Sequence, residues 1–325
     1  MKIALLGTGV YGLAIASKLA QNGHKIVMWT EDKEKEEEYQ KTHNLKSIYD
    51  NYNIPENIEV TSNIKDAVEN AEIIFFTCAS KYVSSVASSI LPYYNPKTTI
   101  CIASKGIDEN SCELLSTVIK FILKAKNITV ISGPTFAVDM LQNEPVALAI
   151  AGTNYKSKNK VMSALSGKTL KLRPSKDLIG VQICGSVKNI IAIASGILGG
   201  LGYSESTRAF LINESLHDIK DLIRFLKGKP KTILSFAGVG DLLMTCMSTK
   251  SRNYSFGYVI GNAKNKKEID DFLATHTVEG YYTLKTIMVL LDKHHINIEL
   301  ITLINDIVDN KKEPHTLVEF LINKK

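Results

Sequence analysis

A glycine-rich turn close to residue 1 limits the architectures open to this chain. The apolar run KIALL, from Lys2, leads into Gly7-Thr8-Gly9-Val10-Tyr11-Gly12 and then into an amphipathic stretch. This order predicts a strand, a tight turn and a helix. The first glycine permits the turn, the second lets a pyrophosphate approach the backbone, and the third lets the helix pack on the sheet. Gly7, Gly9 and Gly12 therefore predict a dinucleotide site.

Short apolar runs alternate with amphipathic stretches through the first half of the chain. The predicted strands begin near Lys2, Lys25, Ala71, Thr98, Ile128, Pro145 and Leu170. Strands that alternate with helices indicate a doubly wound, mostly parallel sheet with its ligand at the carboxyl ends of the strands. After Pro174 the apolar residues recur at helical spacing. We expect an α/β Rossmann domain that binds the dinucleotide over residues 1–174. An all-α domain for substrate binding and catalysis is expected over residues 175–325.

Composition argues against several classes of partner. The 325-residue chain has a formal net charge of only +6, and its lysines are interleaved with glutamates, so we expect no nucleic-acid partner. The five cysteines form no CxxC pair, which is typical of thiols in a reducing compartment and predicts a cytoplasmic location. Adjacent residues on a helix project in different directions, so His294 and His295 do not suggest a metal site, and none is expected.

Two apolar segments resemble targeting or membrane signals but are not expected to act as such. Glycines interrupt the apolar run of the first twenty residues, so we do not expect this segment to be a signal peptide. The apolar stretch over residues 190–201 is shorter than a bilayer requires. We expect no membrane span.

An acidic pair follows the second predicted strand. Glu31 and Asp32 stand where an acidic side chain would bind the ribose hydroxyls and repel a 2′-phosphate. Glu31 therefore favours NAD over NADP as the cofactor. The alternative is that both residues only begin a solvated charge run over residues 31–38.

Five further places carry polar residues suited to chemistry, and four of them have a plainer interpretation. Lys105 follows a strand, but it could be an exposed loop lysine. Residues 132–137, SGPTFA, could be a turn. Asp241 could cap a helix, and residues 251–253, Ser-Arg-Asn, could be another turn. Lys188 lies at the front of an apolar helix. Burying a lysine there is costly unless it is paired or has a functional role, so Lys188 is the strongest of these candidates.

Taken in order, these segments resemble the NAD-dependent glycerol-3-phosphate dehydrogenase family. The segments that carry the resemblance are GTGVYG, ASKG, SGPTFA, VKNIIAIASGIL, AGVGDLLMTC, SRNYSFG and VEGYYT. They span nearly the whole chain. The resemblance implies reversible NAD(P)H-dependent reduction of dihydroxyacetone phosphate to sn-glycerol 3-phosphate, which would supply glycerol phosphate for phospholipid synthesis. It also implies a homodimer, which the apolar glycine-rich helices of the second half would suit.

The resemblance assigns roles to particular residues. Lys188 is the implied catalytic lysine, acting with Asp241 and Lys105. The implied substrate contacts are Lys105, Gly133, Thr135, Lys188, Asp241, Ser251, Arg252 and Asn253. With the glycine motif and Glu31, the expected cofactor contacts are Gly7, Gly9, Val10, Tyr11, Gly12, Glu31, Lys105, Ala137, Arg252 and Glu279.

The expected chemistry agrees with these assignments. A lysine ammonium can protonate the carbonyl oxygen of a ketone as that oxygen gains negative charge. Asp241 would hold the ammonium, Asn189 would help to orient it, and Thr245 lies four residues after Asp241 on the same helical face. Arg252 offers a planar fork suited to a phosphate.

The chain departs from the family pattern in one helix. Ser206 stands where the family usually has asparagine, and Asn213-Glu214-Ser215 replaces a Thr-Arg-Gly run, so Glu214 reverses a charge. Substrate choice or assembly could therefore differ. Two alternatives stay open: a related dehydrogenase acting on another phosphorylated or acidic alcohol, and a nucleotide sensor without turnover.

Overall fold

The chain forms two structural units in the computed structural model, which describes residues 1–50 and 52–324. Unit 1 consists of Met1–Asp108 and Leu114–Leu178, and unit 2 consists of Glu109–Glu113 and Ile179–Lys325. The division into two domains expected from the sequence, residues 1–174 and 175–325, stays a prediction.

Unit 1 contains one sheet of eight strands among the described residues. The strands are β1 (Lys2–Leu6), β2 (Lys25–Trp29), β3 (Ile58–Thr61), β4 (Ile73–Phe76), β5 (Thr99–Ile102), β6 (Ile128–Ser132), β7 (Val146–Gly152) and β8 (Leu170–Pro174). Their order is β3-β2-β1-β4-β5-β6-β7-β8, and all neighbours are parallel except β6 and β7. The predicted mostly parallel sheet is confirmed.

Helices follow most strands of this sheet. They are α1 (Val10–Gln21), α2 (Lys33–Thr42), α3 (Ile64–Val68), α4 (Val83–Ile90), α5 (Leu115–Leu123), α6 (Ala137–Leu141) and α7 (Tyr155–Leu165). Leu13 and Ile15 of α1 share a buried cluster with Ile3 and Leu5 of β1. The strand order changes direction between β1 and β4, which places a ligand crevice at their carboxyl ends.

The edge strand β3 was not predicted from the sequence. Ile58 and Val60 are buried on one face and Glu59 is exposed on the other. Four residues with only two apolar positions give too short an alternation to separate a strand from a loop. Because β3 lies at the edge of the sheet and pairs only with β2, two buried apolar residues are enough to hold it.

Unit 2 is helical throughout its described secondary structure, which confirms the expected all-α region. Its helices are α8 (Leu178–Gly200), α9 (Glu205–Phe225), α10 (Asp241–Met247), α11 (Arg252–Asn262), α12 (Lys266–Thr275), α13 (Glu279–Lys293), α14 (Glu299–Val308) and α15 (Thr316–Asn323). A 3₁₀ turn at Pro230–Leu234 and a π turn at Phe236–Gly240 precede α10.

Helix α8 is longer than the apolar stretch of the sequence predicts. The apolar stretch 190–201 is only its second half, so Lys188 lies in the middle of the helix and not at its front. By length and composition α8 alone, among the described helices, could cross a membrane, but 89% of its apolar window is buried inside the protein. Such burial is typical of a core helix.

The glycines of α8 serve packing inside unit 2. A Cβ atom on Gly196 would lie 2.0 Å from the carbonyl oxygen of Tyr254, and one on Gly257 would lie 1.9 Å from that of Ile193. The backbones of α8 and α11 therefore touch. These contacts occupy the glycine-rich face, so it does not support the homodimer argument made from the sequence.

Candidate active site

The glycine loop of unit 1 is shaped for close approach by a ligand. Gly7 follows β1 with φ of +124°, and a Cβ atom there would lie 2.8 Å from the backbone nitrogen of Cys78. Only glycine adopts this conformation without strain. Gly9 is different, because a Cβ atom on it would meet nothing within 4 Å. The space above Gly9 is therefore open to a ligand.

The first turn of α1 leaves donors for that ligand. Gly9 is the N-cap residue of α1, and no side chain caps the helix. Its first N–H groups and the positive end of its dipole are suited to a phosphate. Val10 and Tyr11 begin the helix and are half-buried. The arrangement fits the pyrophosphate of a dinucleotide.

Thr77 supports the loop and was not predicted. Its hydroxyl donates to the carbonyl oxygen of Gly7 over 3.0 Å and to that of Leu6 over 3.2 Å. Its position directly after the buried strand β4 was the sequence feature from which this role could have been predicted. The contact ties the carboxyl ends of β1 and β4 together.

The two acidic residues after β2 behave differently. Asp32 caps α2 by accepting a hydrogen bond from the backbone nitrogen of Glu34 at 3.0 Å, and it pairs with Lys35 at 3.2 Å. The hydrogen bond from Lys35 lowers the pKa of Asp32. Glu31 is exposed, and no hydrogen bond or ion pair engages its carboxylate among the described residues. Of the two acidic residues, only Asp32 is thus engaged as a helix cap.

Residues that follow three strands meet at one edge of the sheet. The Nζ atom of Lys105 donates to the carbonyl oxygen of Gly133 at 3.4 Å and lies 5.9 Å from the ring centroid of Tyr11. The hydroxyl of Thr135, which is buried, lies 3.5 Å from the same Gly133 oxygen. Ala137 begins α6 and is half-buried. The structure thus brings these predicted residues together within unit 1.

A buried ion pair lies in unit 2. Lys188 is 5% exposed and Asp241 is 0% exposed, and the Nζ atom of Lys188 donates to Oδ1 of Asp241 at 2.6 Å. The same Nζ atom donates to the hydroxyl of Thr245 at 2.8 Å. The hydroxyl of Thr245 in turn donates to the backbone carbonyl of Asp241 at 2.6 Å. A buried charge needs such compensation, so the three residues fix the ammonium in one place.

Asp241 does not act as a helix cap. Gly240 is the N-cap residue of α10, and no side chain caps that helix. The carboxylate instead pairs with Lys188 across to α8. One residue beyond Thr245, burial raises the pKa of the Cys246 thiol, an effect that the nearby Lys188 charge opposes. That thiol is protonated and does not compete as a nucleophile.

Residues 251–253 begin helix α11 and do not form an isolated turn. The hydroxyl of Ser251 caps the helix by accepting from the backbone nitrogen of Tyr254 at 3.3 Å. Arg252 is exposed, so its guanidinium faces solvent. Asn253 is buried, and its Oδ1 atom accepts from the backbone nitrogen of Gly280 at 2.8 Å. This second contact of Asn253 was not predicted.

The side chain of Asn189 contacts the first residue of α13. Its Nδ2 atom donates to the carboxylate of Glu279 at 3.4 Å. Neighbouring residues on an α-helix are rotated by about 100°. Lys188 therefore faces α10 while Asn189 faces the start of α13, and the expectation that Asn189 helps to orient Lys188 stays a prediction.

The reversed charge on α9 has a partner. The carboxylate of Glu214 lies 3.6 Å from Nζ of Lys324, which also pairs with Asp218 at 2.7 Å. Burial raises the pKa of Asp218, and the hydrogen bond from Lys324 offsets part of this rise. Ser206 is exposed near the start of α9. Both departures thus lie outside the Lys188 cluster.

A glycine loop at the switch point of a parallel sheet and a buried lysine–aspartate pair on helices are together typical of dinucleotide-dependent dehydrogenases. Comparison with known proteins identifies one family within this class of dehydrogenases. Residues 2–158 match the NAD-dependent glycerol-3-phosphate dehydrogenase N-terminus, and residues 177–319 match the NAD-dependent glycerol-3-phosphate dehydrogenase C-terminus. The chain belongs to the NAD-dependent glycerol-3-phosphate dehydrogenase family.

Individual relatives agree along the full length. Glycerol-3-phosphate dehydrogenase [NAD(P)+] of Thermoanaerobacter sp. is 35% identical over 100% of this chain and 97% of its own length. The protein of that name from Fusobacterium nucleatum is 31% identical over 100% of this chain and 98% of its own. A crystal structure of glycerol-3-phosphate dehydrogenase from Coxiella burnetii has a TM-score of 0.93 at 32% identity, covering 99% of this chain and 98% of that one. The protein is an NAD(P)-dependent oxidoreductase.

Proposed function

We propose that this protein reduces dihydroxyacetone phosphate to sn-glycerol 3-phosphate, reversibly and with NAD(P)H, and so provides glycerol phosphate for phospholipid synthesis. The observation that carries the proposal is the buried contact of Lys188 with Asp241 and Thr245 in a member of this family. A fixed, buried ammonium is suited to protonating a ketone oxygen.

The dinucleotide is bound chiefly by the glycine loop and its neighbouring side chains. The proposed cofactor contacts are Gly7, Gly9, Val10, Tyr11, Gly12, Glu31, Lys105, Ala137, Arg252 and Glu279. The reduced nicotinamide, when bound, supplies the hydride. Glu31 accepts hydrogen bonds from the ribose hydroxyls and repels a 2′-phosphate, so NAD is the preferred cofactor. The open space above Gly9 and the unengaged carboxylate of Glu31 support this assignment.

Lys188 donates a proton to the carbonyl oxygen of the substrate in the reducing direction and accepts it in the other. Asp241 and Thr245 hold the ammonium so that it does not need to reorganise as the oxygen gains charge. Lys105 adds a second positive charge for the substrate.

The phosphate of the substrate is bound by polar groups at the start of α11. Arg252 presents an exposed guanidinium, which can donate two parallel hydrogen bonds to a phosphate. Ser251 and Asn253 flank it. Gly133 and Thr135 are further proposed substrate contacts. These groups select a phosphorylated triose over an unphosphorylated one.

Three wider assignments accompany this function. Residues 1–174 act as the dinucleotide-binding domain and residues 175–325 as the substrate and catalytic domain. The protein is cytoplasmic, which the buried thiols of Cys101 and Cys246 support. It is a homodimer, as the family resemblance implies.

The test is consumption of NADH by the purified protein with dihydroxyacetone phosphate, repeated with NADPH and with unphosphorylated dihydroxyacetone. Turnover should require the phosphate and should be faster with NADH. Absence of turnover in folded protein that binds NADH would contradict the substrate, and a screen of other phosphorylated ketones and 3-hydroxyacids would follow. Equal rates with NADPH would contradict the role of Glu31 alone.

A further inference from the structure

Two asparagines converge on the first turn of α13. Asn189, on α8, donates from Nδ2 to the carboxylate of Glu279, the first residue of α13. Asn253, on α11, accepts at Oδ1 from the backbone nitrogen of Gly280, the next residue. Both asparagines are buried, at 2% and 8% exposure. Two helices therefore hold both the side chain and the backbone of one helical turn.

The packing around Gly280 shows how closely this turn is held. A Cβ atom on Gly280 would lie 2.7 Å from the carbonyl oxygen of Asn189 and 2.8 Å from Oδ1 of Asn253. No larger residue fits without moving one of the two. The contacts from α8 and α11 thus reinforce each other at a single position.

The contacts also restrict what each asparagine does elsewhere. Asn189 is adjacent to Lys188, yet its amide faces α13 while the ammonium faces α10. The Oδ1 atom of Asn253 accepts from Gly280, so its Nδ2 atom is the side-chain donor left for a substrate phosphate.

We propose that Asn189 and Asn253 are positioning residues that hold the first turn of α13 and thereby fix the carboxylate of Glu279 for the cofactor. This inference rests on the proposed cofactor contact of Glu279. Asn189 sets the direction of the carboxylate, and Asn253 sets the backbone from which it projects. Asn253 also links the phosphate end of the substrate to the turn that carries Glu279.

Exchanging donor and acceptor tests the Asn189 contact. Asn189→Asp places a second carboxylate against Glu279, and the repulsion should weaken NADH binding about tenfold. Glu279→Gln loses a charged cofactor contact and should also weaken binding. In the double variant the new amide at position 279 donates to the new carboxylate at position 189. The fold-decrease in NADH affinity of the double variant should therefore be at least about threefold smaller than the product of the fold-decreases of the two single variants. NADH fluorescence titration gives the affinities.

Asn262→Asp is the matched control, because Asn262 is an exposed residue at the end of α11. It makes the same chemical change and should leave NADH affinity within about twofold of the unmodified protein. Single losses that simply multiply in the double variant would overturn the inference. So would a fall in kcat at saturating NADH with unchanged NADH affinity, since that result assigns Asn189 to Lys188.

Hydrogen exchange at Gly280 tests the Asn253 contact without any cofactor. Asn253→Ala removes the acceptor and should speed exchange of the Gly280 amide about tenfold or more. Asn253→Asp keeps an acceptor oxygen but loses the amide donor, so it should retain Gly280 protection while raising the KM for the substrate. Unchanged protection in Asn253→Ala would overturn the role of Asn253. Cofactor affinity and exchange are both read without substrate, so failure of the dihydroxyacetone phosphate assay does not affect them.

Discussion

Each unit of this protein buries one lysine among its described residues, and the two lysines are held in different ways. Lys18 of α1 is 4% exposed, and its Nζ atom donates to Oδ1 of Asn143 at 2.7 Å and to the hydroxyl of Thr169 at 2.8 Å. Lys188 of α8 is 5% exposed and has Asp241 and Thr245 at 2.6 and 2.8 Å. Burial and bond lengths are alike. A carboxylate partner distinguishes Lys188.

This difference shows that burial alone does not indicate chemistry. Lys18 ties α1 to two neutral side chains, and burial lowers its pKa below the ordinary 10.5. Such a lysine fastens parts of a fold together. Lys188 instead pairs with a buried carboxylate, an arrangement that is costly unless it is used or fully paired. We therefore propose a structural role for Lys18 and a catalytic role for Lys188.

The largest expected effect on stability comes from breaking the buried ion pair. Asp241→Ala leaves the Lys188 ammonium buried without its carboxylate and should lower the free energy of unfolding by about 3–5 kcal/mol. Urea denaturation measures this change. Lys188→Met combined with Asp241→Leu removes both charges and should recover much of the loss. A double variant as unstable as Asp241→Ala would show that the pair itself does not cause the effect.

Glycine substitutions in unit 1 should separate binding from stability. Gly9→Ala adds a methyl group in open space, so it should leave stability nearly unchanged but weaken NADH binding about tenfold by blocking the pyrophosphate. Gly7→Ala should weaken both, because its φ is +124° and the methyl group meets Cys78. Gly23→Ala, also at positive φ but away from the loop, should lower stability alone. NADH titration and thermal unfolding distinguish these outcomes, and unchanged NADH affinity in Gly9→Ala would contradict the site.

The smallest expected effect is the pH dependence due to Lys18. Its folded pKa lies below the unfolded value of 10.5, so its contribution to stability is present above 10.5 and is lost as pH falls through the folded value. Lys18→Met should therefore flatten the rise in unfolding free energy just below pH 10.5 and change turnover by less than about twofold. Denaturation across that range is the measurement. An unchanged profile would show that Lys18 does not titrate there.

The sequence was sufficient for the parts of the molecule in which local order determines structure. The glycine loop is contiguous, so Gly7 and Gly9 could be placed from their spacing and neighbours alone. The apolar runs of the sheet were also long enough to recognise, except for β3. The start of α8 was less clear, because Gly180 and Gly185 weaken its helical pattern.

The unit 2 site was harder to predict because it is built from distant parts of the chain. Lys188 and Asp241 are separated by 53 residues, and only the resemblance connected them before the structure did. The bonds from Asn189 and Asn253 to the start of α13 depend on how three helices pack. No spacing in the sequence encodes such packing, so these contacts could not be predicted.

The most direct test of the catalytic assignment compares the two buried lysines in one experiment. Lys188→Ala and Lys18→Met are each loaded with NADH, and the rate of NADH oxidation is followed after mixing with dihydroxyacetone phosphate. Lys188→Ala should bind NADH but react about 10²–10⁴ times more slowly than the unmodified protein, while Lys18→Met should react at the normal rate. A normal rate in folded, NADH-loaded Lys188→Ala would contradict the account.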